Sequence, residues 1–150
     1  IESEKAALII AGSDRDTEIT AEIKKKASEE SRIEGHDCFI PNEEVQTYMN
    51  ASDCIVLPYR KITTSGTLVL AMSFDKPILA PSKGCIPEYV NKEDSILFES
   101  THKLTEAIQG YIKGEIKEEG GGNLAKIREI NWDKIAEKTG KLYRGLAKSN

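Results

Sequence analysis

Short apolar runs alternate with longer amphipathic segments along most of the chain. The run at residues 7–11 contains no polar residue, which is typical of a strand buried on both faces of a parallel sheet. Similar runs follow at residues 38–40, 54–57, 78–80 and 95–98. Alternation of short strands with helices indicates βαβ units. The pattern therefore predicts an α/β fold, a Rossmann-like parallel sheet flanked by helices.

The segments between these runs show helical spacing. Residues 18–30 are charged, with apolar residues four apart, and Asn42 is expected to cap a second helix. A helix beginning near Thr67 is apolar on all sides, which predicts burial, and residues 103–112 also follow helical spacing. The apolar residues on one face of the first predicted helix are Ile19, Ile23 and Ala27, and those of the second are Val45, Tyr48 and Met49.

The three glycines at residues 120–122 are typical of a flexible joint. Beyond them, apolar spacing predicts two terminal helices with Trp132 between them. We therefore expect a Rossmann-like domain over residues 1–120 and a C-terminal helical extension of that domain over residues 121–150.

Composition and charge narrow the function classes. The 150 residues, 39% hydrophobic and 31% charged, suit one globular domain. A net charge of −4 argues against a nucleic-acid partner. The cysteines, Cys38, Cys54 and Cys85, are odd in number and have no close pair, which favours reduced thiols in a cytoplasmic protein. No apolar run approaches the about 20 residues that span a bilayer.

The chain begins with charged residues, so we expect no signal peptide. It lacks an initiator methionine, which fits either a fragment of a longer protein or a processed chain.

The ends of the predicted strands mark the candidate site, because ligands of parallel α/β sheets bind beyond the carboxyl ends of the strands. Residues 12–14, 41–42, 58–66 and 81–87 occupy such positions. At residues 58–66 the next helix must begin, so its first N–H groups lack intrahelical acceptors and suit a phosphate. Ser65 and Thr67 add hydroxyls, and Arg60 adds a positive charge. Alternatively, Ser65 or Thr64 simply caps the helix and Arg60 is a surface charge.

Other chemistries have weaker support. A metal at His36-Asp37-Cys38 would need a second ligand cluster, and none has suitable spacing. His36 and His102 lack a G-x-S-x-G nucleophile motif, and the chain has neither G-x-G-x-x-G nor a P-loop. We therefore expect no bound metal and no cofactor.

Three segments resemble a known family. They are residues 50–60 (NASDCIVLPYR), 70–80 (LAMSFDKPILA) and 84–88 (GCIPE). Together they resemble the C-terminal, nucleotide-sugar-binding domain of retaining GT-B glycosyltransferases of family 4, the group 1 glycosyltransferases. The resemblance extends from about residue 7 to about residue 146.

The resemblance implies a role for each strand end. The donor would be a sugar linked to a nucleoside diphosphate, such as a UDP- or GDP-sugar, lying between two Rossmann-like domains. Residues 64–67 would replace the glycine-rich turn that faces the diphosphate, and Gly84 would border the site. The implied donor diphosphate and sugar contacts are Arg60, Thr63, Thr64, Ser65, Gly66 and Thr67. The implied nucleoside contacts are Gly12, Ser13, Pro41 and Asn42.

The chain departs from the family pattern in informative ways. The usual pair of glutamates falls on Ile62 and Leu70, so no catalytic residue is assigned. A variant group reading PYR-x-I-T-x-SG shares this substitution. The first strand of the usual domain, with its Arg and Lys, and the N-terminal acceptor-binding domain are not in this sequence.

By this resemblance the chain is the donor-binding domain of a glycosyltransferase that transfers a sugar to a hydroxyl acceptor in polysaccharide or glycoconjugate biosynthesis. Amides and cations would stabilise the departing diphosphate. We expect the isolated chain to be inactive, the acceptor-binding domain to be its partner, and the full-length enzyme to be cytoplasmic, peripheral at the inner face of the membrane.

Two alternatives remain open. A non-catalytic nucleotide- or protein-binding module of the same fold would account for the missing glutamates. A GT-B-like epimerase is weaker, because no catalytic carboxylate or histidine can be placed.

Overall fold

The structure is a computed structural model that describes residues 6–13, 17–114 and 121–147. The chain divides into two compact units, Ile1–Ser52 and Asp53–Asn150. Every strand pair in the described residues is parallel, and helices separate consecutive strands. The predicted α/β class is therefore confirmed.

The first unit contains a two-stranded parallel sheet in which Leu8 lies opposite Ile33. Its second helix carries the predicted inward stripe: Met49 is buried, and Val45 and Tyr48 are half-buried. The elements are β1 (Leu8–Ala11), α1 (Thr17–Glu29), β2 (Ile33–His36) and α2 (Asn42–Ala51).

The second strand differs from the sequence prediction. β2 ends at His36, and the predicted strand at residues 38–40 is wrong: this apolar run lies in the connection to α2, where Phe39 is 75% exposed. A Cβ on Gly35 would lie 3.0 Å from Ile23 Cγ2, so the glycine allows α1 to pack closely on β2. The position of β2 therefore depends on its pairing with β1 and on the close approach of α1. The apolar content of the segment does not reveal this position.

The first strand is paired as expected but is less buried than predicted. Leu8 is 46% exposed and Ile9 is 40% exposed. Within the described residues β1 hydrogen-bonds only to β2. The strand was expected to be covered on both faces, and this burial prediction is wrong.

The second unit contains a three-stranded parallel sheet in the order β3-β4-β5. All four residues of β4, the central strand, are buried. The strand predictions at residues 78–80 and 95–98 are confirmed. The elements are β3 (Ile55–Val56), α3 (Gly66–Ser73), β4 (Ile78–Pro81), α4 (Ile86–Tyr89), β5 (Ser95–Phe98), α5 (Thr101–Ile112), α6 (Gly122–Glu129) and α7 (Trp132–Ala147).

Two apolar clusters cover the faces of this sheet. Ile78 and Ala80 belong to the cluster that includes α3, whereas Leu79 packs with Ala107 of α5 in the other. This explains the continuous apolar run of β4, since alternate side chains enter different cores. The first cluster consists of Leu57, Leu68, Ala71, Met72, Ile78, Ala80, Ile86 and Val90.

Helix α3 is only partly buried, in contrast to the prediction. Leu68, Ala71 and Met72 are buried, but Val69 is 38% exposed and Leu70 is half-buried. A sheet contacts only one side of a helix packed on it, so a helix that is apolar all round still presents part of its surface.

The glycines before α6 have a packing role that the flexible-joint interpretation did not anticipate. Gly121 has φ 121°, a conformation that favours glycine. A Cβ on Gly122 would overlap the side chain of Asn91 and lie 2.5 Å from Asp94 Oδ2. Glycine is therefore required for the chain to enter α6; Gly120 lies outside the described residues.

Helix α7 leaves all of its apolar side chains exposed. Trp132 is its first residue, rather than lying between the two terminal helices, and is 84% exposed. None of the helices in the described ranges has the length and apolarity required to cross a membrane.

All three cysteines are free thiols, and Cys54 is half-buried after α2. Burial, with a smaller contribution from the Asp53 carboxylate, raises the pKa of the Cys54 thiol to about 11. At pH 8 we expect iodoacetamide to modify Cys54 about a hundredfold more slowly in the folded chain than in urea, because the thiolate fraction is smaller. Mass spectrometry of a Cys38→Ser/Cys85→Ser variant measures both rates. Equal rates would contradict the expectation.

Candidate functional site

Residues 58–65 connect β3 to α3, and we call this segment the β3–α3 loop. It begins where the Leu57 N–H donates to the Leu79 carbonyl of the central strand, 2.8 Å away. The loop therefore leaves the sheet at the carboxyl end of its strand, as the sequence predicted. It borders a cavity of about 420 Å³. The cavity is lined by Tyr59, Lys61, Ile62, Thr63, Thr64, Ser65, Gly66 and Thr67.

Ser65 caps α3. Its Oγ accepts a hydrogen bond from the Leu68 N–H at 2.9 Å and also lies 2.8 Å from the Tyr59 hydroxyl. The capping interpretation is therefore correct for Ser65, whereas Thr64 does not cap the helix.

The cap occupies only one of the first N–H groups of the helix. Val69 donates to the Ser65 carbonyl at 3.4 Å, while the N–H groups of Gly66 and Thr67 donate to no acceptor in the described part of the chain. Both residues line the cavity. Capping and anion binding are therefore compatible in this loop, because they use different N–H groups.

The charges around the cavity favour an anion. Residues 57–74 include Arg60 and Lys61 but no carboxylate. Neither cation forms a salt bridge within the ranges that the structure describes. Because the whole chain carries a net charge of −4, this positive region is local.

Gly84 brings the next strand end against the same loop. It has φ +56°, and a Cβ built on it would lie 2.9 Å from the Ile62 carbonyl oxygen. Any larger residue would be strained and would push the loop outward. The structure thus places Gly84 beside Ile62, which lines the cavity.

The two positions at which the resemblance would place glutamates carry apolar side chains with structural roles. Ile62 lines the cavity and also packs against the first apolar cluster, and Leu70 is half-buried in α3. Neither can accept a hydrogen bond from a sugar hydroxyl.

The four nucleoside candidates belong to the first unit. Gly12, with φ +141°, follows β1, and its N–H donates to the His36 carbonyl at 3.1 Å; Ser13 is exposed. Pro41 is the N-cap of α2 and Asn42 is the first helical residue, so the predicted Asn42 cap is wrong. The Pro41 carbonyl accepts the first helical bonds, and no side chain caps this helix.

His36 and Asp37 have structural partners in the first unit. The His36 ring packs edge-on against Tyr48 with ring centroids 5.4 Å apart, and Asp37 Oδ2 lies 2.9 Å from Lys24 Nζ. No cluster of three possible metal ligands occurs in the described ranges.

Sequence reasoning missed Tyr59. Its hydroxyl reaches Ser65 six residues ahead across the β3–α3 loop, where neither helical nor strand periodicity applies. The only signal available was an aromatic residue directly after Pro58, next to a serine-glycine helix start.

Comparison with known proteins gives consistent matches. A family model described as "Glycosyl transferases group 1" matches residues 1–113. Two proteins of Xanthomonas campestris pv. campestris, each named GDP-mannose:glycolipid 4-beta-D-mannosyltransferase, are 22% and 21% identical over 140 residues. These alignments cover 91% of this chain and 40% of each relative, so the chain spans about two-fifths of their length.

A solved structure has the same fold. Sucrose-phosphate synthase from Thermosynechococcus elongatus aligns with a TM-score of 0.71 at 22% identity, covering 95% of this chain and 39% of that one.

Proposed function

The chain belongs to the group 1 glycosyltransferases and has the α/β fold of the C-terminal half of a GT-B enzyme, and on that premise we propose that it binds the sugar nucleotide. The enzyme would transfer the sugar to a hydroxyl acceptor, and the β3–α3 loop with the start of α3 would hold the donor diphosphate. The observation that supports this most directly is the pair of N–H groups of Gly66 and Thr67, which have no acceptor in the described structure and border a cationic cavity.

The backbone supplies the first part of the proposed phosphate site. Free N–H groups at a helix N-terminus carry about half a positive charge, which attracts phosphate oxygens. A Cβ on Gly66 would meet no atom within 4 Å, so the space above this residue is open to a ligand. Close approach of a phosphate to the backbone therefore requires no rearrangement of the protein.

The side chains supply the second part. Thr63, Thr64 and Thr67 offer hydroxyls along the cavity, and Lys61 offers positive charge there. Arg60 is exposed beside Lys61 and outside the cavity lining, and would add a second positive charge. When the sugar–phosphate bond breaks, negative charge builds up on the departing diphosphate, and fixed donors and cations lower the energy of that state. In this proposal the donor is the substrate, and no cofactor takes part.

The relatives suggest a first substrate to test. Both curated relatives are named for a GDP-mannose donor and a glycolipid acceptor. We therefore extend the proposal to a GDP-linked hexose, with a UDP-linked sugar second, and to a saccharide or glycolipid acceptor in polysaccharide or glycoconjugate biosynthesis. An acceptor-binding domain would be the partner, and the full-length enzyme would work in the cytoplasm at the inner face of the membrane.

In the same proposal, the residues that contact the nucleoside would be Gly12, Ser13, Pro41 and Asn42. We retain the proposed division into a donor-binding domain over residues 1–120 and a helical extension over residues 121–150.

Filling the open space above Gly66 tests the phosphate site. We expect Gly66→Val to weaken GDP and UDP binding at least about tenfold, because the new methyl groups would occupy the space of the phosphate. Isothermal titration calorimetry measures both affinities. Gly145→Val is the matched control, since Gly145 is also helical and its Cβ position is also open.

Arg60→Ala in the same titration tests the countercharge and should reduce the salt dependence of binding. Unchanged affinity in both Gly66→Val and Arg60→Ala would remove the phosphate site from the β3–α3 loop.

A second candidate function is a non-catalytic nucleotide-binding module. The apolar residues Ile62 and Leu70 favour it, because they leave no carboxylate at the expected positions. Nucleotide binding by the chain without sugar transfer by the full-length protein would support this alternative.

A further inference from the structure

We propose that Tyr59 is a positioning residue that directs the Ser65 hydroxyl towards the donor diphosphate. This inference rests on the proposed function, since it assigns an additional donor to the same phosphate site. Tyr59 and Ser65 both line the cavity, and their oxygens lie 2.8 Å apart.

The hydrogen-bond capacity of the pair leads to this role. A serine hydroxyl has one proton to donate and two lone pairs that accept. Ser65 Oγ already accepts the Leu68 N–H at 2.9 Å. When Tyr59 donates to the other lone pair, both acceptor positions of Ser65 are filled, and its own proton can go only to another acceptor.

The opposite arrangement leaves the same number of donors. When Ser65 donates to Tyr59, the tyrosine proton is the one that remains free. Two hydroxyls share one mutual hydrogen bond, so one O–H donor is left over in either case. The cavity therefore has this hydroxyl donor in addition to the N–H groups of Gly66 and Thr67.

An acceptor ligand would select the first arrangement. Ser65 directly precedes Gly66, so a phosphate oxygen held by the first N–H groups of α3 lies near its hydroxyl. Tyr59 then acts indirectly: it occupies one lone pair of Ser65, holds the side chain as the cap, and leaves its proton for the phosphate. Loss of the tyrosine hydroxyl keeps the serine proton but no longer orients it.

Removal of the Tyr59 hydroxyl tests the inference. We expect Tyr59→Phe to weaken GDP and UDP binding by the same factor, about three- to tenfold, because the effect acts on the phosphate and not on the base. Tyr89→Phe is the matched control: Tyr89 packs against the same apolar cluster, and its hydroxyl makes no hydrogen bond in the described structure. Calorimetric titration measures the affinities, and the melting temperature reports the fold.

A double-mutant cycle identifies the route of the effect. If Tyr59 acts through Ser65, adding Tyr59→Phe to Ser65→Ala should change neither affinity further. An undiminished effect in that background, or different factors for GDP and UDP, would mean that Tyr59 contacts the ligand directly and would overturn the inference.

Amide hydrogen exchange provides a readout that needs no nucleotide. In the free chain, Tyr59→Phe should speed exchange of the Leu68 N–H several-fold, because the Ser65 cap is released, whereas Tyr89→Phe should not. Unchanged Leu68 exchange overturns the positioning role even when nucleotides bind. Failure of the wild-type chain to bind GDP and UDP, together with faster Leu68 exchange, would instead overturn the proposed function and the phosphate role.

Discussion

Replacing Asn123 with alanine is expected to lower the free energy of unfolding by about 3–5 kcal/mol. Asn123 is fully buried at the start of α6 and holds that helix against the β4–β5 sheet. Its Oδ1 accepts the Asn91 N–H at 2.8 Å, and its own N–H donates to Asp94 Oδ2 at 2.9 Å. The side chain and backbone of this residue therefore tie the start of α6 to Asn91 and Asp94.

The amide nitrogen of Asn123 adds further contacts. Nδ2 lies 3.4 Å from the Lys76 and Asp94 carbonyl oxygens and 3.3 Å from Ser95 Oγ. Alanine would remove the acceptor of the Asn91 N–H and the Nδ2 donor that these three oxygens share, although the Asp94 carbonyl keeps its bond from the Ile78 N–H. Each buried group left unsatisfied costs about 1–3 kcal/mol. The cost is large because one side chain serves several groups at once.

Urea denaturation followed by circular dichroism measures the change. Gln109→Ala is the control, because Gln109 is an exposed amide on α5 and should change stability by less than about 0.5 kcal/mol. A similar midpoint for the two variants would show that α6 contributes little to the stability of the second unit.

Replacing Leu68 with alanine is expected to lower the free energy of unfolding by about 2–5 kcal/mol. Leu68 is 1% exposed and belongs to the apolar cluster between α3 and the sheet. Truncation removes the transfer energy of the side chain and leaves a cavity that its rigid neighbours fill only partly. The neighbouring Leu70 is half-buried, so its truncation should cost less.

Val69→Ala is the matched control, because the next residue of the same helix is 38% exposed. We expect Val69→Ala to lower the free energy of unfolding by less than about 1 kcal/mol. The difference between the two variants separates the effect of burial from that of helix propensity. Equal losses in the two variants would contradict the one-sided packing of α3. The same denaturation experiment measures both.

The elements that could be predicted correctly are those whose local pattern and tertiary environment agree. β4 and β5 form where short apolar runs predicted them, since both faces of β4 are covered. Helix α3 starts at Gly66 after the Ser65 cap, as the hydroxyl and glycine residues indicated.

The predictions that failed concern segments whose structure depends on contacts with residues far away in the sequence. β2 carries Glu34 and Gly35 and was not recognised, because its formation depends on pairing with β1 and on the close approach of Ile23. Gly122 looked like a flexible residue, since its neighbours Asn91 and Asp94 are about 30 positions away in sequence.

The candidate site was also predictable only in part from the sequence. The resemblance selected residues 63–67, and local rules explained why a helix should begin there. The sequence did not indicate that Tyr59 bonds to Ser65, or that Gly84 lies against Ile62.

The sequence by itself determined the alternation of strands and helices, the buried character of the central strand and the position of the α3 N-terminus, because these follow from periodicity and from backbone chemistry within a few residues. Only the tertiary structure decided which segment becomes β2, how α6 docks through Asn123 and how the Tyr59 hydroxyl joins the cavity. Those outcomes depend on contacts between residues far apart in the chain, and no local pattern encodes such distances.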